Sequence, residues 1–327
     1  MRLLQLLLTS IFIFIRVEHY YAYGSQWPSH VYPDKNGNNE SPTKSSIESS
    51  TEDNLYLPDI VPEHYKIQLE LAAEEDMFYG TSEVNITIKN ATNFIYFHCK
   101  ELKNITNTFD LIYMTKRNTT HNNIKHFVQG YKYMKKMDII VLYFDYELSP
   151  GGYILNMKFT SIIGNNIGGF FKTSYNGEDP EWFIATRTWT MGARRMFPCW
   201  DEPKFQANFT ITIKYHAKYM AFSNMPISTS MTVNHTTITS FNTTPAISTH
   251  LIAIVLCDFP TTIANTNWRG RFESIRDQNF ASHVATSVTF YFETNWKELH
   301  NFSNVQHVAI PGLLDDGMAK WALIFYR

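Results

Sequence analysis

Between Tyr65 and Cys257 apolar side chains recur at every second position in short runs, and this pattern constrains the chain more than any other feature. Tyr65, Ile67, Leu69 and Leu71 alternate with polar residues, as do Val84, Ile86 and Ile88. Further runs are Phe94–His98, Ile139–Phe144, Tyr153–Phe159, Phe209–Ile213, Tyr219–Phe222 and Leu251–Cys257, with turn residues between them. A period of two puts one side of a strand in a core and the other in water. Many short strands of this kind predict a mainly β chain, built as an antiparallel sandwich or saddle over residues 55–260. Abundant Thr, Tyr, Phe and Ile with few Gly point the same way.

The flanks of this region differ from it. Residues 1–24 read as a secretory signal: Arg2, then an apolar run from Leu3 to Ile15, then the small-residue site Ala22-Tyr23-Gly24. A membrane anchor is the alternative, but crossing a bilayer takes about 20 apolar residues, and Arg16 closes the run. Residues 25–54 are polar, rich in Ser, Asn, Pro and Glu, and without periodicity, as expected of a disordered linker. Asn85, Asn90, Asn104, Asn118, Asn208, Asn234, Asn242 and Asn301 each begin Asn-x-Ser/Thr, the acceptor pattern for N-glycans in a secreted chain. The 3 cysteines, Cys99, Cys199 and Cys257, sit in strand-like or aromatic contexts. Buried free thiols are expected there rather than a disulfide framework.

A net charge of −2 with no basic stripe argues against a nucleic-acid partner. No Gly-rich phosphate loop and no G-x-S-x-G elbow is present. Asp315-Asp316, two adjacent acids after Leu-Leu, read as a solvated loop sooner than as metal ligands.

The densest segment runs from Gly169 to Pro203, GFFKTSYNGEDPEWFIATRTWTMGARRMFPCWDEP. Pro198 and Pro203 bracket Asp201-Glu202, which favours a rigid, turn-rich tip over a helix. Paired opposite charges among aromatics suggest a fixed junction in which Arg194 and Arg195 hold Asp201 and Glu202.

This segment resembles the N-terminal domain of the aminopeptidase N family of zinc metallopeptidases. Gly169, Phe170, Ser174 and Tyr175 match that family's Gly-Phe-Tyr-x-Ser-x-Tyr, and Ala193 to Arg195 with Phe197 to Pro203 match its Ala-Arg-Arg-x-Phe-Pro-Cys-Trp-Asp-Glu-Pro. Tyr56 to Tyr65 resembles the opening of the family's fold, and Thr244 to Leu251 a later stretch in which His250 stands where a Tyr is usual. That His is expected to be a core residue rather than a ligand. Val308-Ala309-Ile310-Pro311 resembles a family strand. The resemblance implies that residues 261–327 begin an α+β metallopeptidase domain, with zinc as the cofactor of the full-length family.

Chemistry of that kind needs a metal that activates water, a base, and anions that grip the substrate's free ammonium. H-E-x-x-H on a helix supplies the first two by placing two His on one ion. None of the 12 histidines is followed by Glu and no two are four apart, so no metal ligand and no catalytic residue is assigned. The resemblance places the family's amine-binding Gln at Arg187 and its amine-binding Glu at Ala319, after Gly317 and Met318, with the next Asn at Lys320. The family's Glu two residues on becomes Trp189, and the Asp before Ala-Arg-Arg becomes Gly192. Arg187 and Lys320 are therefore expected to repel a cationic amine, while Arg194, Arg195, Trp200, Asp201 and Glu202 keep a structural role.

Within residues 261–327, Val284, Ala285, Val288, Tyr291, Phe292, Trp296 and Leu299 fall on one face of a helix predicted over Ala281 to Leu299, with only partial cover expected for that face. The resulting expectation is a secreted, glycosylated, non-catalytic relative with no cofactor in this chain and no transmembrane span. A peptide or protein ligand is left open as its partner. The alternative is the N-terminal part of a zinc metalloaminopeptidase.

Overall fold

A computed structural model describes residues 58–105, 109–113, 124–164, 168–174, 182–188, 191–258, 268–269, 275–295, 305–313 and 315–327. The signal and linker readings, Asn118, Trp189, Trp296, Leu299 and Asn301 lie outside them. No helix among the described residues is long and apolar enough to cross a membrane.

The strands in chain order begin with β1 (Ile60–Ala72), β2 (Met77–Ile88), β3 (Thr92–His98), β4 (Asp110–Tyr113), β5 (Ile124–His126) and β6 (Gly130–Met134). Then follow β7 (Ile139–Leu148), β8 (Gly151–Ile162), β9 (Gly169–Ser174), β10 (Trp182–Arg187), β11 (Asn208–His216) and β12 (Met220–Ser223). Next come β13 (Ile227–Val233), β14 (Thr236–Phe241), β15 (Ile254–Cys257) and β16 (Trp268–Arg269), and helix α1 (Ile275–Asn295). The chain closes with β17 (Gln306–Ala309), β18 (Gly317–Lys320) and β19 (Leu323–Tyr326).

The alternation seen in the sequence is the alternation of burial. Tyr65, Ile67, Leu69 and Leu71 of β1 and Val84, Ile86 and Ile88 of β2 all face the core. They belong to an eight-stranded sheet ordered β13-β14-β11-β1-β2-β8-β4-β5. Gly80 leaves room for the Phe159 ring of the paired strand β8, since a Cβ there would stand 2.2 Å from that ring. A three-stranded sheet (β3-β7-β6) and a four-stranded sheet (β12-β15-β10-β9) complete the region. The chain is thus mainly β, as expected, but spread over several sheets. Among the described residues the longest departure from the antiparallel expectation is β1, which runs parallel to β11, His64 opposite Asn208. A parallel pair needs a long crossover, and everything from β2 to β10 lies between these two strands.

One large core fills the space between these sheets, with Tyr65, Phe97, Phe197, Trp200 and Phe209 at its centre. A second core joins both sides of residue 260. Phe171, Phe183, Ala185, Val255 and Cys257 pack with Val308, Ile310, Leu313, Met318, Leu323 and Phe325 of the sheet β16-β17-β19-β18. The strands after residue 260 therefore share the apolar interior of the strands before it. Helix α1 has less. Ala281 and Ala285 pack on Tyr326, with Val284 and Ile324 beside them, whereas Tyr291 on the expected apolar face is 58% exposed. It lies about two turns from that contact, past the cover that β19 provides.

Candidate functional site

Two polar centres lie where the sheets meet. The first is the junction that follows β10. Ala193–Arg195 forms a single 3₁₀ turn, closed by the Met196 N–H donating to the Ala193 carbonyl at 2.8 Å. The chain then extends, and Cys199 exchanges two backbone hydrogen bonds with His98, of 2.8 and 3.1 Å. Trp200 is fully buried; its backbone N–H donates to the Tyr65 hydroxyl at 3.2 Å, and Tyr96 and Phe97 pack edge-on against its ring. The bracketed segment is thus an interior strut, the fixed junction expected of it.

Its ion pairs follow the expectation for one arginine only. The Arg194 Nε donates to Asp201 Oδ2 at 3.0 Å, and Thr249 Oγ1 donates to Asp201 Oδ1 at 2.7 Å. The Asp201 N–H donates to His98 Nδ1 at 3.1 Å, so the neutral ring carries its proton on Nε2. Burial and the Arg194 charge hold the His98 pKa down at about 4. Arg195 instead pairs with Glu101, and Glu202 with Lys204 at 2.9 Å. A 3₁₀ turn has three residues per turn, so adjacent arginines point about 120° apart and cannot both face one acid pair. Gly169, at φ +78°, lies against the Arg195 side chain, with space for a Cβ only 3.0 Å from the Arg195 Cβ.

The second centre joins the end of β10 to β18. The Arg187 Nη2 donates to Asp315 Oδ2 at 3.3 Å, both side chains half-buried. Next to it Thr188 is buried, its hydroxyl within reach of the His250 and Ile252 carbonyls at 2.9 and 3.1 Å. Lys320 reaches beneath them: its Nζ donates to the Thr188 carbonyl at 2.5 Å and to the His250 carbonyl at 2.7 Å. Only 4% of Lys320 is exposed, and burial lowers its pKa to about 7. A neutral amine has two N–H donors, and two carbonyls receive them. His250 sits in the turn Thr249–Leu251 with its pKa lowered to about 4 by burial and by Lys320, which matches its reading as a packed residue.

The structure therefore brings Arg187 to the segment that carries Gly317, Met318, Ala319 and Lys320, but it does not put those four on one face. Met318 and Lys320 point inward while Gly317 and Ala319 alternate to the other side. Lys320 is turned away from the face of Ala319, and Asp315 sits against the Arg187 charge. Of the acids Asp315-Asp316, Asp315 is half-buried against Arg187, whereas Asp316 is exposed, as a solvated loop implies, and pairs with Arg327 at the surface. Asn224 escaped the sequence reading. Its Nδ2 donates to Leu251 O and Trp321 O at 2.9 and 2.8 Å and its Oδ1 accepts from the Ala253 N–H, stitching three segments together. Nothing distinguishes it in sequence from an ordinary turn asparagine.

The described residues do not fit zinc. Among the described residues no three His, Cys, Asp or Glu side chains converge on a common point. His98 and His307 are engaged by the Asp201 N–H and the Tyr326 hydroxyl. All three cysteines are buried and none forms a disulfide, with Cys99 pushed up to about 12 by burial. Among the sequons, Asn90, Asn104, Asn234 and Asn242 are exposed, and Asn85 and Asn208 are half-buried in strands. Asn208 Nδ2 donates to Thr244 O at 2.8 Å.

A β-rich unit of several sheets, locked by a buried Arg–Asp strut and continued by a helix and a short mixed sheet, has the make-up of an N-terminal peptidase-family module. The Peptidase M1 N-terminal domain matches residues 61–251, and the chain belongs to that family. Glutamyl aminopeptidase of Homo sapiens is 30% identical over 298 residues, covering 86% of this chain and 30% of that protein. Endoplasmic reticulum aminopeptidase 1 of Rattus norvegicus is 26% identical, covering 90% of this chain and 32% of its own length. Aminopeptidase A of Gloydius brevicauda is 28% identical, with 84% and 29% covered. The chain spans about a third of the length of the curated relatives it matches.

Proposed function

We propose that this chain is a secreted, glycosylated M1-family protein that does not by itself remove N-terminal residues from peptides, and that it acts as a binding surface for a peptide or protein ligand. The observation that carries the reading is the Arg187–Asp315 pair at 3.3 Å. At the place where the resemblance puts a neutral amine-binding Gln stands a guanidinium, already bound to a carboxylate. Ala319 stands where it puts the Glu. A hydrogen bond to a charged group contributes about 1.5–3 kcal/mol, and Ala319 has none to offer an ammonium. No H-E-x-x-H is present in the sequence to bring water to the nucleophilic state.

The test is expression in a eukaryotic secretory cell, followed by elemental analysis and an aminoacyl chromogenic substrate, with and without added zinc. Expected are no stoichiometric zinc and no hydrolysis, even after Arg187→Gln with Ala319→Glu. Chelator-sensitive hydrolysis by the unmodified chain would overturn the reading. A second reading, the N-terminal part of a zinc metalloaminopeptidase, is favoured by relatives named as aminopeptidases and about three times as long. Sequencing the transcript beyond the codon for Arg327 decides between them: a frame running into H-E-x-x-H supports the enzyme.

A further inference from the structure

The eight-stranded sheet ends differently on its two sides. At one edge β5 is 3 residues long and carries Lys125, which pairs with Asp110. A short, charged edge resists pairing with another chain. At the other edge β13 is 7 residues long, exposed at every one of them, and free of charge and proline: Ile-Ser-Thr-Ser-Met-Thr-Val. Met231 is 63% exposed and lies opposite Ile238 of β14, itself exposed, so an apolar step runs onto the bare edge. An uncharged strand can also pair antiparallel with its own copy without bringing like charges together. By itself this is an aggregation-prone edge.

Both ends of that strand carry an N-glycan acceptor. Asn234 stands in the two-residue turn that leaves β13, with φ of +47° there and +63° at His235, as a tight hairpin requires. Asn242 stands at the other end, its N–H donating to the Pro226 carbonyl at 2.9 Å beside the first residue of β13. Both asparagines are exposed. The sequons are Asn234-His235-Thr236 and Asn242-Thr243-Thr244.

We infer that Asn234 and Asn242 are glycosylated and that their glycans flank β13 and close this edge to a second copy of the chain. The inference rests on the secreted reading above. In the modification, the Asn Nδ2 attacks C1 of a sugar carried on a lipid pyrophosphate. The C1–O bond breaks, the Nδ2–C1 bond forms, the amide loses one proton, and the lipid pyrophosphate leaves with the bonding pair. Two large hydrated glycans at opposite ends of a seven-residue strand do sterically what Lys125 does electrostatically at β5.

Glycopeptide mapping of the chain secreted from eukaryotic cells comes first, and occupancy at both positions is expected. Light scattering then compares the intact chain with the Asn234→Gln/Asn242→Gln variant, whose weight-average mass should rise by about twofold or more as edges pair. Met231→Lys added to that variant should return it to the mass of the intact chain. If the double variant is not secreted, native enzymatic removal of glycans from the intact chain gives the same comparison. Glycans at Asn90 with none at Asn234 and Asn242, or an unchanged mass after their loss, overturns the inference and leaves the secreted reading standing. No glycan anywhere, with the chain retained in the cytosol, sinks both.

Discussion

The two polar centres meet similar demands with different chemistry. Around Asp201, Arg194 and Thr249 both lie in stretches that resemble the family, and the carboxylate lies between them in the interior. At the end of β10 stand the residues proposed above to depart from the family pattern: Arg187 closes on Asp315, and Lys320 turns inward to two carbonyls. A strut tolerates no exchange because a buried charge without its partner is costly. A half-buried corner can trade one pair for another and still pack. The difference teaches that a buried charge is fixed by its partner, whereas a half-buried one is free to change partners.

The largest test is at the strut. Asp201→Ala leaves the Arg194 guanidinium buried without its carboxylate and should cost about 3–5 kcal/mol in urea denaturation of the purified chain. A loss of under about 1 kcal/mol would show that Asp138, 3.8 Å from Arg194 Nη1, can take over.

Lys320 comes next, through pH. Its folded pKa of about 7 lies below the ordinary 10.5, so between these values the folded chain holds fewer protons than the unfolded one. Stability should therefore climb as pH rises through that window, by up to about 1.4 kcal/mol per pH unit from this group. Below pH 7 both states are protonated and the burial penalty stays in full. Lys320→Met should remove that climb from the stability profile. Identical slopes with and without the lysine would mean that the amine is solvated. The neighbouring His250 complicates the profile little in this range, since it titrates near 4.

Smaller again is the corner pair. Arg187→Ala or Asp315→Ala should each cost about 1 kcal/mol, as expected for a half-buried ion pair, and the double variant little more than either. Strict additivity in that cycle would show that the two do not interact. The smallest effect belongs to Glu202→Ala, within about 0.5 kcal/mol, because its Lys204 partner is exposed. Should Glu202→Ala rival Asp201→Ala, the contrast between strut and surface would collapse.

Much of this was legible in the sequence, for reasons that differ by region. Tyr65, Ile67, Leu69 and Leu71 announce β1 because a one-sided core imposes period two on whatever strand faces it. The parallel partner β11 is not announced, since pairing between distant strands leaves no mark on either one's own period. Arg194 with Asp201 could be read because they are close in sequence and set among aromatics; the outward turn of Arg195 depends on a 3₁₀ geometry that composition does not specify. For Lys320 a signal was present. Met318 and Lys320 share parity on a strand, so an inward Met implied an inward Lys, opposite to Ala319. The division near residue 260 was drawn from a change of pattern, and the pattern says nothing about Phe183 and Phe325 sharing one core.

The parallel pairing of β1 with β11 also sets an order of events at birth. The His64 ring and the Thr210 hydroxyl, 2.8 Å apart when folded, are separated by 146 residues of chain. As the polypeptide emerges from N- to C-terminus, β2 and β8 can settle on one side of β1 early, while its other side stays open until β11 is made. Synthesis at about 5–20 residues per second leaves that open side waiting for roughly 7–30 seconds. Loop closure over such a distance is slow to nucleate. For that interval the nascent chain exposes a 13-residue strand along its full length, so chaperone engagement should peak before residue 216 leaves the ribosome and fall sharply afterwards.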